Sequence, residues 1–266
     1  MNKDIWERAL KALDLGPRFY YDRVGSTNDV AQIKIAEGVP NLTLIVADEQ
    51  YQGRGRRGRS WFTPQGAGLA FSVIFFPRTG GIQAENLNRA NGLGALSVAQ
   101  AFREYFSLPA EIKWPNDVLI QGQKVCGVLV ESHWEGDMLH DIILGVGINI
   151  HPHAVLEEET LSFPATSLEK ASGKEWEHPL VLAKVLETML DWVPKISGSS
   201  FLSAWENLLA FRYQVVQLIK EGKVVAEGNI AGLTEDGSLV LEKGSGNKEA
   251  FQVGEIHLRP VDRSRK

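Results

Sequence analysis

The sequence predicts a mixed α+β fold with a small all-β appendage at its C-terminal end. Three observations predict it. Apolar runs of strand length recur between residues 41 and 150 without the regular helix insertions of a βα-alternating chain. Two long helical patterns, 86–106 and 179–193, supply faces to cover such a sheet. After Arg212 the texture changes to short strands divided by "KEGK", "TEDG" and "GSGN".

In chain order, "NDVAQIKIAEG" (28–38) carries apolar residues at helical spacing, ends in glycine, and has Ser26, Thr27 or Asn28 available as its cap. "NLTLIVADEQ" (41–50) reads as a buried strand. It runs into "YQGRGRRGRSW" (51–61), and "GLAFSVIFF" (68–76) follows as a second strand closed by Pro77. Residues 86–106 form the longest helical pattern, with alanine on the packing face. "EIKWPNDVLI" is a strand broken by a Trp-Pro-Asn-Asp turn, and "KVCGVLVESHW" pairs with it across a Gln-Gly-Gln connection as a hairpin. "HDIILGVGINI" (140–150) is a further apolar strand. The pattern lapses over 151–166, a loop length that in a compact domain is usually functional or mobile. Helices over 179–193 and 201–211 are separated by "PKISGSS". The texture change predicts two units, 1–211 and 212–266, the second folding as a separate module.

Bulk properties narrow the function. The 266 residues are 44% apolar and 23% charged, as in an ordinary globular protein. A net charge of −5 argues against a general nucleic-acid coat. The single cysteine, Cys126, excludes an intrachain disulfide and a cysteine metal cluster, which fits a reducing compartment. The N-terminal segment is charged throughout and lacks the apolar core of a signal peptide, and no run approaches the ~20 apolar residues of a membrane span. These features predict a cytoplasmic protein that is not in a membrane; they leave the oligomeric state open, a homodimer included.

Five stretches could carry chemistry. In 53–59, glycines let successive N–H groups converge on an anion, and Arg54, Arg56, Arg57 and Arg59 offer donors shaped for phosphate or carboxylate. A solvated hairpin tip, a nucleic-acid contact and a lid over a small anionic ligand all accommodate this run. Ser26, Thr27 and Asn28 are either helix caps or a polar ligand site at a helix start. In "KWPNDV" (113–118), Asn116 and Asp117 either satisfy the local turn or, for Asp117, help hold Mg²⁺ with a phosphate. Lys124 reads as a solvated lysine or a ligand neighbour, with Gly127 allowing close approach to the backbone. "GVGIN" (145–149) lacks a GxGxxG opening a helix, so it is no dinucleotide fingerprint.

Taken in order, these stretches resemble the biotin–protein ligases: Ser-Thr-Asn at 26–28, GRGRRGR at 53–59 followed by Trp61, KWPND at 113–117, Lys124 with Gly127 three on, and GVGIN at 145–149. "GEIHLR" (254–259) is similar to that family's closing segment. The resemblance implies a mixed-sheet catalytic domain of the biotin/lipoyl ligase type with an SH3-like C-terminal barrel. It implies that biotin's carboxylate attacks the α-phosphate of Mg-ATP to give biotinyl-5′-AMP, and that a lysine of a biotin carboxyl carrier domain then takes the biotinyl group. Biotin would be met by Ser26, Thr27, Asn28, Gln50, Gly53, Arg54, Gly55, Arg56, Trp61, Lys124, Gly127 and Gly145. ATP and the adenylate would be met by Arg56, Arg59, Lys113, Asn116, Asp117, Asn149 and Arg259, with Lys124 and Arg56 catalytic and Asp117 toward Mg²⁺. Only about 20 residues precede the matching pattern, so the form without an N-terminal DNA-binding domain is expected, with no nucleic-acid partner. A lipoate–protein ligase shares the adenylate logic, but GRGRRGR argues against it. An RNA-binding module would bind with steep salt dependence and show no ligase chemistry.

Overall fold

In a computed structural model of the protein, residues 1–79, 82–156, 163–220, 222–244, 246–252 and 257–261 are described. Parts of the 151–166 loop, of "GEIHLR" and of the extreme C-terminal end therefore lie outside the described residues. The larger sheet comprises β1 (Arg18–Val24), β2 (Leu44–Gln50), β3 (Gly68–Phe75), β4 (Ala110–Lys113), β5 (Asp117–Ile120), β6 (Gln123–Glu135) and β7 (Met138–Asn149), in the order β1-β2-β3-β7-β6-β5-β4. Only β1 and β2 pair in parallel; every other neighbour is antiparallel. The sheet is mixed, as the sequence pattern predicts.

Both faces of this sheet are covered at its centre, which is why β3 and most of β7 read as unbroken apolar runs. Successive side chains alternate between faces. Leu44, Val46, Phe71, Val73, Leu144 and Val146 enter the main core, with α1 (Lys3–Leu10), α3 (Leu87–Tyr105) and α5 (His178–Trp192) packed over it. Ile45, Ile74 and Ile143 point the other way, into a smaller cluster capped by Ala31 of α2 (Thr27–Ala36). On that second face the side chains shrink along each strand: Ser72 follows Ile74, and Gly145 and Gly147 follow Ile143. Gly127 lies opposite Gly147 on β6. Half of the face is thus filled by helix α2, and the other half is a depression with a glycine floor.

The sequence pattern places the helices and most strands correctly and overruns some ends. The helix expected to 211 is α6 (Ser199–Asn207), and α1, β1 and the short α4 (Leu168–Ser172) are additional elements. The second sheet, β8 (Val215–Lys220), β9 (Lys223–Leu233), β10 (Leu239–Glu242), β11 (Lys248–Phe251) and β12 (His257–Pro260), is antiparallel in the order β11-β10-β9-β8-β12, as an SH3-like barrel requires. It is not hydrophobically separate. Val216, Leu218, Leu239 and Leu258 belong to the same buried cluster as the larger sheet. Its β9–β10 turn docks on the larger unit: Trp114 Nε1, in the β4–β5 turn, donates to the Gly237 carbonyl at 3.0 Å, and Arg89 of α3 donates to the Glu235 carbonyl at 2.6 Å.

Candidate active site

The glycine-floored depression opens into a cavity of about 220 Å³. Helix α2 begins at its rim. Ser26 is the helix N-cap but makes no capping hydrogen bond with its side chain, so its hydroxyl is not spent on the helix. Thr27 N–H donates to Gln50 Oε1 at 2.8 Å. Asn28 lies over the strands with Nδ2 donating to Glu131 Oε2 at 2.7 Å and Oδ1 2.6 Å from Ser72 Oγ. Ser72 Oγ is also 2.7 Å from Thr27 Oγ1. Each hydroxyl has one proton, so both short contacts are satisfied when Thr27 donates to Ser72 and Ser72 donates to Asn28 Oδ1. A Cβ at Gly145 would overlap Asn28 Oδ1, which is the physical requirement for glycine there.

The next stretch of floor holds Trp61. Its indole lies against Gly147, where any Cβ would overlap the ring, and its edge is also close to Gly127. Beyond it, Lys124 Nζ stands 5.3 Å from the indole centroid. Lys124 and Lys113 converge on one carboxylate: Lys124 Nζ is 2.5 Å from Asp117 Oδ1 and Lys113 Nζ 2.8 Å from Oδ2. Burial alone would raise the Asp117 carboxyl, but Lys124, then Lys113, outweigh it and hold the group well below the usual carboxylate range. Burial pushes the Lys113 ammonium down, with Asp117 opposing. Both Asp117 oxygens are therefore engaged by ammonium groups, and no group of three His, Cys, Asp or Glu side chains among the described residues is arranged for a metal. This donor set does not fit Mg²⁺, contrary to the expectation for Asp117.

The arginine run is folded back on itself. Trp61 N–H donates to the Gly53 carbonyl at 2.8 Å and Gly55 N–H to the Arg59 carbonyl at 2.7 Å, while Arg57 (φ 63°) and Gly58 (φ 69°) turn the tip through left-handed backbone. Arg56 reaches inward, its Nη1 donating to Asn116 Oδ1 at 3.3 Å. Burial, then the charge of Arg57, lowers the affinity of its guanidinium for the proton, with Asp117 pulling the other way. Arg54 is held differently, by Asp29 at 2.6 Å and Glu131 at 3.3 Å. Gly53 is not on the cavity wall; it is buried behind the loop, where a side chain would overlap the Trp61 carbonyl.

From the other side, Asn149 Nδ2 donates to the Thr166 carbonyl at 3.1 Å, and residues 164–166 run beside Lys124, with Lys124 N–H donating to the Pro164 carbonyl at 2.8 Å. Phe163 presents its ring to Lys113 (4.7 Å) and Arg259 (5.1 Å). Arg259, on β12, reaches the cavity from the second sheet. The cavity wall thus brings together Ser26, Thr27, Asn28, Gln50, Arg54, Gly55, Arg56, Arg59 and Trp61 with Lys113, Asn116, Asp117, Lys124, Gly127, Gly145, Asn149 and Arg259.

Residues 20–149 match the model of the Biotin/lipoate A/B protein ligase family, and residues 214–259 that of the Biotin protein ligase C terminal domain. The bifunctional ligase/repressor BirA of Escherichia coli K12 is 30% identical over 259 residues, covering 97% of this chain and 78% of that protein. The chain belongs to the biotin protein ligase family. Another relative, the biotin–[acetyl-CoA-carboxylase] ligase of Paracoccus denitrificans, is 29% identical over 88% of this chain and 97% of its own length. Among solved structures, the Aquifex aeolicus biotin protein ligase in complex with biotin and ATP superposes with a TM-score of 0.76 at 33% identity, covering 92% of this chain and 99% of that one.

Sequence reasoning did not single out Ser72, Glu131 or Phe163, and it took Gly147 only as part of GVGIN. Two of these carried a signal in the period of two along a strand: Gly147 lies two positions from Gly145, and Glu131 lies four from Gly127. Ser72 is a lone hydroxyl in an otherwise apolar strand. Phe163 carried none, because only the chain path of 163–166 brings it to the lysines.

Proposed function

We propose that this protein is an ATP-dependent biotin protein ligase, which activates biotin to biotinyl-5′-AMP and transfers the biotinyl group to a lysine of a biotin carboxyl carrier domain. The observation that carries this reading is the order of groups along the glycine floor. A polar set at Thr27, Asn28 and Gln50 comes first, the Trp61 indole next, and Lys124 with Arg56 last. Biotin has the same order: a ureido ring needing paired donors and acceptors, an apolar tail, and a carboxylate.

In the first step a biotin carboxylate oxygen attacks the α-phosphorus of ATP, and the bond to the bridging oxygen breaks to release pyrophosphate. Lys124 and Arg56 stabilise the negative charge that builds on the α-phosphoryl oxygens. Asp117 holds Lys124 in place rather than binding a metal ion. Magnesium enters as part of the ATP substrate. Arg59, Lys113 and Arg259 extend the positive lining toward the phosphates, and the Phe163 ring offers a flat face to the purine. In the second step the carrier lysine's amine attacks the acyl carbon, AMP leaves, and the amine gives up a proton. The loop 53–59 closes over the intermediate and keeps water out.

We divide the chain at residues 211 and 212 into the catalytic unit and the C-terminal unit, the latter contributing Arg259. We assign the reaction to the cytoplasm, where ATP and carboxylase carrier domains are found together. The partner is a protein substrate rather than nucleic acid: the arginines that suggest a polyanion in the sequence line a cavity of small-molecule size. Mass spectrometry of a purified carrier domain incubated with this protein, biotin and Mg-ATP tests the reading. A gain of one biotinyl group is expected; a gain with lipoate and none with biotin would overturn it.

A further inference from the structure

We propose that Glu131 is the positioning residue through which Asn28, at the neutral end of the cavity, is tied to Arg54 at the root of the arginine loop. The inference rests on biotin being the ligand of that end.

Glu131 lies on the cavity face of β6, two residues beyond Leu129 and four beyond Gly127. Its carboxylate serves two masters. Oε2 accepts from Asn28 Nδ2 at 2.7 Å, and Oε1 and Oε2 accept from Arg54 Nη2 at 3.3 and 3.4 Å. Arg54 Nη1 donates in turn to Asp29 Oδ1 at 2.6 Å, and Asp29 directly follows Asn28 in α2. Helix start, strand and loop are therefore joined through one guanidinium and two carboxylates. The Glu131 side chain is 27% exposed, so its charge is partly desolvated and its pairings count for more than those of an open surface pair.

The carboxylate also decides how Asn28 faces a ligand. With Nδ2 on Glu131 and Oδ1 on the Ser72 hydroxyl, the amide has one orientation; the flipped form would set its oxygen against a carboxylate. One Nδ2 proton and one Oδ1 lone pair remain, the pair of functions that a cyclic urea's oxygen and N–H can use. A ligand that engages this amide holds Asn28, and through Glu131 it holds Arg54 at the root of the loop. Losing Glu131 frees both ends together, whereas losing Asp29 frees only the loop.

The test is a set of variants in the full-length protein, read by biotin titration and by the release rate of labelled biotinyl-AMP. Wild type must bind biotin; if it does not, the ligase reading falls and this inference with it. Glu131→Gln is expected to raise the biotin Kd about tenfold and to speed adenylate release by a similar factor, with the ATP Kd unchanged. Asp29→Asn is expected to speed release with little change in biotin Kd. Glu131→Gln combined with Arg54→Ala should release adenylate no faster than the faster single variant, because both break one link. If Glu131→Gln weakens biotin but leaves release unchanged, or if the release effects of Glu131→Gln and Arg54→Ala multiply, the coupling does not exist. Should Glu131→Gln fold poorly, Glu131→Asp keeps the charge on a shorter arm, and unaltered biotin binding and adenylate release in it would equally overturn the proposal.

Discussion

At the scale of single residues, the proposed mechanism leans most on the Lys113–Asp117–Lys124 triad. A buried carboxylate between two ammonium groups is tolerable only because each charge has a partner, and removing Asp117 would leave both ammonium groups uncompensated. Lys124 sits at the cavity end of this arrangement, beside Trp61 and Gly127, and in the proposed mechanism its charge is aimed at the α-phosphate. In Lys124→Ala, Asp117 keeps Lys113 and the fold survives, but the transition state loses its nearest cation. Adenylate formation in single-turnover experiments is expected to slow by ~100-fold or more while the biotin Kd changes by less than about threefold. Equal losses in both would make Lys124 a ground-state contact instead.

At the scale of elements, the loop 53–59 and the segment after β7 face each other across the cavity, and each has its own weak point. Arg56 links the loop to the Trp114–Asp117 turn through Asn116. Arg56→Gly removes that link, a charge and a conformational restraint together, so the closed loop is less populated. Adenylate should still form but leave early, seen as faster release of labelled biotinyl-AMP and stray labelling of bystander lysines. The segment after β7 is anchored by His151, whose Nδ1 lies 2.6 Å from Glu169 Oε2, and by His178, whose ring lies 5.1 Å from that of His151. Burial, then the neighbouring His151, lowers His178, with Asp48 and Glu169 opposing. A ring that binds its proton more weakly in the fold than in the unfolded chain leaves the fold most stable above the ordinary histidine value, about 6.5. Stability is then lost as pH falls toward the lowered folded value. The thermal midpoint of wild type should drop between pH 7.5 and 5.5, and His178→Asn should flatten that drop. The depressed Glu169 carboxyl works in the same direction but only at lower pH, below the value of an unfolded glutamate.

At the scale of the whole molecule, the second sheet is part of the core rather than an appendage. Gly92 of α3 exists where any side chain would overlap Trp205 of α6, and Gly237 of the β9–β10 turn presses on the same indole. Trp114 gives its donor and Arg89 its Nε to that turn, while Arg89 Nη1 donates to the Ile196 carbonyl. The change of texture at Arg212 predicts an independent module; the shared cluster argues that the two units depend on each other. Deleting 212–266 would strip cover from Trp205 and Trp114 and orphan part of the buried Arg89. The truncated chain is expected to aggregate, or to melt more than ~10 °C below wild type in a thermal scan. A truncation that melts with the full-length protein would show that the interface contributes nothing.

How much was legible follows from how local each feature is. Strand and helix patterns depend on side chains two, three and four positions apart, so the elements, the sheet-forming runs and the glycine and arginine motifs stand in the sequence itself. Ser26 to Asn28, GRGRRGR, KWPND and Lys124 were visible as chemistry for the same reason: each is a contiguous string. What the string could not say is which charges cancel. Asp117 looks like a cation ligand until Lys113 and Lys124 are seen to converge on it, and Arg54 looks like a phosphate donor until Asp29 and Glu131 are seen to hold it. Those pairings join residues up to 77 positions apart and arise from strand register and the fold of the loop. Local sequence determined the parts and their chemistry; tertiary structure alone decided their partners, because electrostatic pairing depends on distance in space.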